Sequence, residues 1–177
     1  MIYVITLNPR ELRYAQFVGR VRQDEAEKKG SADSHGYDGE NGLEVHITGA
    51  CGEIAVAKML GWYWKNSVNT YKSGGDVGPL QVRTSQKMTK SGRHSCLIVR
   101  PDDDDTNVFV HAWMRDLNHY EIAGYIKGNE ARQAQWWWAN PTNERPPAHF
   151  VPYTALHDAK ELTQLFSPPT CFEEQSP

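Results

Sequence analysis

The stretch Gly74–Thr84, GGDVGPLQVRT, sets an acid, Asp76, in a Gly/Pro-rich turn and runs directly into a short apolar strand. Side chains alternate along a strand, so Gln81 and Arg83 share one face while Leu80, Val82 and Thr84 share the other. A strand of a compact domain ordinarily buries such a face with apolar residues. An acid at the strand's mouth, followed by two polar groups two residues apart, can hold a metal ion and a phosphate instead.

Upstream, Leu43 to Leu60 reads as a helix stopped by Gly61. It is apolar nearly all round, which predicts burial, and Glu53 is its conspicuous exception. At about 100° per residue, His46 falls on almost the same face as Glu53, and the neighbours there are Gly49, Ala50 and Ala57. Such small residues leave room for something to approach the carboxylate.

The remaining elements are arranged around these two. Met1 to Leu7 is a short strand, and Asn8-Pro9 a helix start with Asn8 as N-cap. Leu12, Ala15, Phe17, Val18 and Val21 give that helix a loose apolar face, which Gly30 ends; SADSHGYDGENG is then a polar loop. Trp62 to Tyr71 reads as extended, and His94–Arg100, Asn107–Met114, Tyr120–Ile126 and Ala148–Tyr153 as strands. Asn129–Trp138 and Thr154–Phe166 read as helices, Asn140–Pro147 as a Pro-rich loop, and the chain from Ser167 as a frayed tail. Asp102–Asp105 reads as a solvated hairpin tip rather than a metal site. The rings of Trp136, Trp137 and Trp138 read as packing rather than as a platform for bases, because consecutive helical residues cannot all face one groove. The order predicts an α+β or mixed α/β fold, with a central mixed sheet of about four or five strands flanked by helices. It divides as an N-terminal strand, helix and loop over 1–42, a core over 43–166 and a flexible tail over 167–177.

Composition narrows the function classes. With 177 residues, 39% hydrophobic and 23% charged, the chain is that of a globular protein with a real core. The net charge of −3 means that nucleic-acid binding has to rest on a local basic face. No apolar run spans a bilayer, the first residues lack the pattern of a signal peptide, and Cys51, Cys96 and Cys171 are odd in number and scattered. The expectation is a cytoplasmic protein without disulfides. Cysteine and histidine show no zinc-finger spacing, and neither a Walker A loop nor a G-x-S-x-G elbow is present. Cys51 reads as packing within its helix.

Gly52-Glu53 in a buried helix, Asp76 in a turn and Gln81-Val82-Arg83 on a strand resemble the PD-(D/E)XK nuclease superfamily in a divergent phage or bacterial form. Gly124-Tyr125-Ile126, a helix and Phe150-Val151-Pro152 are similar to that family's closing elements, so the resemblance spans roughly Leu43–Leu165. It implies a restriction-endonuclease-like core and Mg²⁺- or Mn²⁺-dependent hydrolysis of DNA phosphodiesters. By resemblance, Asp76 is the direct metal ligand and Glu53 holds the ion or its water. Gln81 stands where the family usually has a second acid, and Arg83 where it usually has Lys. The Gln81 amide oxygen can coordinate but brings no charge. Arg83 can clamp a phosphate, but stays protonated and cannot act as a base.

A separate feature is that no Asp or Glu occurs from Val77 to Pro101, while Arg83, Lys87, Lys90, Arg93 and Arg100 are basic. Arg83, Lys87, Lys90 and Arg93 are therefore the candidate nucleic-acid contacts. The function expected is a metal-dependent nuclease. The alternative is a nuclease-like fold that binds nucleic acid or a partner protein without cleaving, favoured by the departures at Gln81 and Arg83.

Overall fold

The computed structural model describes residues 2–28, 42–66, 68, 74–139 and 146–166. Strand β1 (Tyr3–Thr6) leads into helix α1 (Pro9–Lys28). The Asn8 side chain accepts from the backbone N–H groups of Arg10 and Glu11 at 2.9 and 3.0 Å, and the Glu11 carboxylate accepts from Asn8 N–H at 2.7 Å. This reciprocal capping box is why the helix starts where Asn8-Pro9 places it.

Helix α2 (Gly42–Leu60) ends at Gly61, whose φ is +67°. Gly61 N–H donates to Lys58 O, and Trp62 N–H to Ala57 O, which closes a Schellman turn and sends the chain back along the helix. As its composition predicts, α2 is buried from Ala50 through Ala57.

Strand β2 (Leu80–Gln86), β3 (Leu97–Val99), β4 (Val108–Met114) and β5 (His119–Lys127) come next. The main sheet is four-stranded and mixed, in the order β1-β5-β4-β2, with β2 parallel to β4 and the other pairs antiparallel. One face packs against α1 and α2 in a core that includes Val18, Ile54, Leu80, Val110 and Ile122. Strand β1 is an edge of this sheet and α1 lies along α2, so the N-terminal strand and helix share one core with the α2 and β2–β5 elements.

Part of the opposite face is covered by a second, three-stranded antiparallel sheet. Here β3 pairs with β7 (Ala148–Val151), which pairs with β6 (Trp137–Trp138). Leu97, Val99 and Val151 meet Phe109 and Ile126 in a smaller core. The rest of that face of the main sheet is polar. His111 Nε2 lies 3.0 Å from Ser85 Oγ, and the buried Glu121 pairs with Lys87 and Arg115 at 2.7 and 3.3 Å. Burial pushes the His111 imidazole down to about 3, so it is neutral at ordinary pH.

Three expected elements differ. The strand predicted over His94–Arg100 is confined to β3, because His94 instead bridges back to Met88 and closes the basic hairpin. The helix predicted over Asn129–Trp138 is a single turn, α3 (Gly128–Ala131), then a 3-10 turn over Ala134–Trp136 and strand β6. Adjacent bulky aromatics suit an extended edge that sends rings to alternate faces: Trp137 packs on His149 and Trp138 on Phe150. The final helix shrinks to a 3-10 turn, Tyr153–Ala155, and α4 (Glu161–Leu165). Between them His157 exchanges both backbone hydrogen bonds with Tyr125, which holds the chain extended. Gly30, the loop after it, most of Trp62–Tyr71 beyond Asn66, residues 140–145 and the tail from Ser167 lie outside the described residues.

Helix α2 packs tightly on β2 at Gly52, where an added Cβ would lie 1.9 Å from Thr84 Oγ1. Gly52→Ala therefore forces α2 away from β2. It is expected to destabilise the fold by about 1–3 kcal/mol in denaturant titration, as overpacking does.

Candidate active site

The Schellman turn and the Asp76 turn build one cluster. Asp76 N–H and Val77 N–H both donate to Leu80 O, at 2.7 and 3.2 Å, and Leu80 N–H returns to Val77 O at 3.0 Å. Gly78 holds a φ of +56° in this turn. A Cβ at Gly75 would sit 2.6 Å from Gly78 O and from Leu80 backbone atoms, so the turn closes only around a glycine. The result aims the Asp76 carboxylate back at its own strand, where Oδ2 accepts from Val82 N–H at 2.8 Å.

Glu53 arrives from α2, 5% exposed. Its Oε1 accepts from Arg22 Nη1 at 2.7 Å, and its Oε2 from Arg22 Nη2 at 2.8 Å and from Trp64 Nε1 at 2.9 Å. What approaches Glu53 is thus a guanidinium from α1. Trp64 is placed by the chain reversal at Gly61 and held edge-on against Tyr14 at 5.5 Å.

Glu53 and Asp76 lie close enough to repel each other. Burial first, and the Glu53 charge second, push the Asp76 carboxyl up to about 6. The Val82 hydrogen bond and the Arg83 and Arg22 charges pull the other way and only partly offset this. Two carboxylates and the guanidinium of Arg22 therefore act on one another, with Arg83 adding its charge from a half-exposed position.

Strand β2 alternates as expected. Leu80 and Val82 are buried, and Gln81 and Arg83 are half-exposed on the other face. The Gln81 amide nitrogen donates to Gly74 O at 3.4 Å, so its side chain leans back over the Asp76 turn. Arg83 donates to Asp103 Oδ1 at 2.6 Å and stacks over the Phe109 ring, 5.2 Å from its centroid. Asp103 is thus an anchor and not a purely solvated charge: its other oxygen accepts from Arg100 N–H at 2.8 Å. The neighbouring Asp105 is paired with Arg132.

The predicted basic contacts divide. Lys87 is committed to Glu121 and lies over Trp113, 5.8 Å from the ring centroid. Lys90 and Arg93 are exposed on the hairpin that His94 closes. That hairpin leaves the far end of β2 from Asp76. Six residue steps of strand separate the ends of β2, or about 20 Å. The sequence adjacency of Asp76 to the basic segment is therefore not spatial adjacency.

Three members of the constellation were not among the sequence candidates: Arg22, Trp64 and Asp103. A signal for Arg22 existed. Ala15, Val18 and Gly19 form the buried stripe of α1, and the next position of that stripe, seven residues after Ala15, is Arg22. An arginine there needs an acid opposite it. Trp64 and Asp103 are placed by a chain reversal and a turn, and no periodic pattern announces either.

As a metal site the donor set is two carboxylates and one amide oxygen, which suits a hard cation that keeps several waters. The Asp76 carboxylate accepts one hydrogen bond among the described residues, whereas both oxygens of Glu53 are taken. No group of three or more His, Cys, Asp or Glu side chains among the described residues is placed to hold an ion. By donor type alone Asp76, Gln81 and Glu53 suit Mg²⁺ or Mn²⁺, with the Glu53 oxygens already accepting from Arg22 and Trp64.

No family model, no curated protein and no solved structure matches this chain. No helix among the described residues is long and apolar enough to cross a membrane.

Because the folded-state value of Asp76 lies above its ordinary 3.8, its charge opposes folding. The contribution of Asp76 to stability is fully present below about pH 4 and is lost as pH rises through about 6. Asp76→Asn keeps an oxygen for Val82 N–H and removes that charge. It is expected to be more stable than wild type at pH 7.5 by up to about 3 kcal/mol, with the gap closing below pH 4. Thermal melts of both proteins across that range are the measurement.

Proposed function

We propose that this protein is a metal-dependent nuclease acting on DNA, with Glu53, Asp76, Gln81 and Arg83 as its reaction centre. One observation carries the reading: a buried helix carboxylate and a half-buried turn carboxylate lie near enough to interact, and the Asp76 carboxyl is raised by burial and by Glu53. A fold bears such a mutual repulsion at a cost, and sites that handle cations and phosphates are where this cost recurs.

Asp76, Gln81 and Glu53 would hold Mg²⁺ or Mn²⁺. Bound there, the ion supplies an activated water and withdraws charge from a phosphoryl oxygen. Arg83 contributes a permanent positive charge that can hold a phosphate oxygen in bidentate fashion. It does not take a proton from water at neutral pH. The Phe109 ring lies against the guanidinium, and Asp103 limits its swing. Lys90 and Arg93 lie too far away to share one phosphate with Asp76. At 3.4 Å per base pair, about six base pairs of duplex would span the length of β2, so these residues would act as a remote grip.

A second reading is that the chain binds nucleic acid or a partner protein without cleaving. What favours it is that Arg22 and Trp64 take both oxygens of Glu53, and Asp103 takes Arg83. The two readings separate in one assay. Purified protein is incubated with duplex and single-stranded DNA in Mg²⁺ and in Mn²⁺, alongside Asp76→Ala. The nuclease reading expects metal-dependent cleavage that falls at least about 100-fold in the variant. Binding without cleavage would favour the second reading, and cleavage that survives in Asp76→Ala would remove Asp76 from the site.

A further inference from the structure

We propose that Arg22 is a built-in counter-cation of the metal site, which competes with a divalent ion for Glu53. The proposal rests on the metal-centre reading and adds a regulating residue to it. Both Glu53 oxygens receive guanidinium N–H groups, at 2.7 and 2.8 Å, in the parallel geometry by which arginine matches a carboxylate. A guanidinium in that position supplies the positive charge that an ion would supply, and it engages a lone pair on each oxygen. Two cations at one carboxylate repel each other, so Arg22 and an ion compete for Glu53.

The setting allows the exchange. The Arg22 side chain is 11% exposed and that of Glu53 is 7% exposed, so the pair is mostly shielded from water but not sealed. Arg22 belongs to α1, whereas Glu53 and Asp76 belong to α2 and the β2 turn. Withdrawal of one side chain can thus open the site without moving either carboxylate. Trp64 keeps its bond to Glu53 Oε2, which holds that carboxylate's rotamer while Arg22 leaves. The arrangement also accounts for a donor set short of three acids. With Arg22 in place, the charge of Glu53 is already balanced, while that of Asp76 is not. Once displaced, the guanidinium remains beside the carboxylates, where a phosphate oxygen is its natural new partner.

The test is calorimetric titration of the whole chain with Mn²⁺ alone, comparing wild type, Arg22→Lys and Arg22→Met. Arg22→Met is expected to bind Mn²⁺ at least about tenfold more tightly than wild type, with Arg22→Lys between them, because lysine keeps the charge but loses the paired N–H geometry. Thermal melts with and without Mn²⁺ give a second readout, in which the ion raises the melting temperature most in Arg22→Met. If Arg22→Met does not fold, the sign of the Arg22→Lys shift decides. Equal or weaker Mn²⁺ binding in the variants, with wild type still binding, overturns the role of Arg22 and leaves the metal centre standing. No Mn²⁺ binding at millimolar concentration by any of the three overturns both.

Discussion

A buried carboxylate, Glu53, and a half-buried one, Asp76, that repel each other are the constraint on which this molecule turns. Removing a charge from water costs several kcal/mol even after the protein relaxes, and a second like charge nearby adds to it. Glu53 is stabilised by the forked guanidinium of Arg22 and the indole N–H of Trp64. Asp76 has one backbone N–H and the more distant fields of Arg22 and Arg83, and its carboxyl is raised accordingly. The asymmetry matters chemically. One acid is tightly held and the other is under-compensated, so the cluster as a whole favours added positive charge.

The fold can be understood as the means of bringing those acids together. Helix α2 crosses β2 at Gly52, where any side chain would strike Thr84, and the next residue is Glu53. The Schellman turn after α2 returns the chain so that Trp64 reaches the acid from which it departed eleven residues earlier. Strand β2 then carries Leu80 and Val82 into the helix-side core and presents Gln81 and Arg83 to the other side. Behind Arg83, the polar face of the sheet is neutralised by pairs: Ser85 with His111, and Glu121 with Lys87 and Arg115. Positive charge that looks available along the chain is thereby largely spoken for, and Lys90 and Arg93 on the hairpin stand apart.

The sequence made legible the features that are local or periodic. The Asn8 cap, the Gly61 stop, the buried length of α2 and the alternation along β2 are each set by residue type at fixed spacing. The mixed sheet flanked by helices also agrees with the expected fold class. The features that were not legible depend on partners distant in the chain. Helical propensity favoured Asn129–Trp138, but pairing of Trp137 and Trp138 with β7 prevailed. His157 was drawn out of a predicted helix by Tyr125. In the site, Glu53, Asp76, Gln81 and Arg83 could be singled out, but not that Arg22 sits on Glu53 or that Asp103 holds Arg83. Nor could linear adjacency reveal that a seven-residue strand carries the basic hairpin away from Asp76.

The claim that Glu53 and Asp76 form one strained pair is tested most directly by the ionisation of Asp76 itself. Carboxyl ¹³C shifts measured by NMR across the acid range report it, in wild type and in Glu53→Gln. The account predicts that Asp76 titrates near pH 6 in wild type and lower in Glu53→Gln, because the nearby negative charge is gone. Titration near the ordinary value of 3.8 in both proteins would contradict it, and the two acids would then be independent.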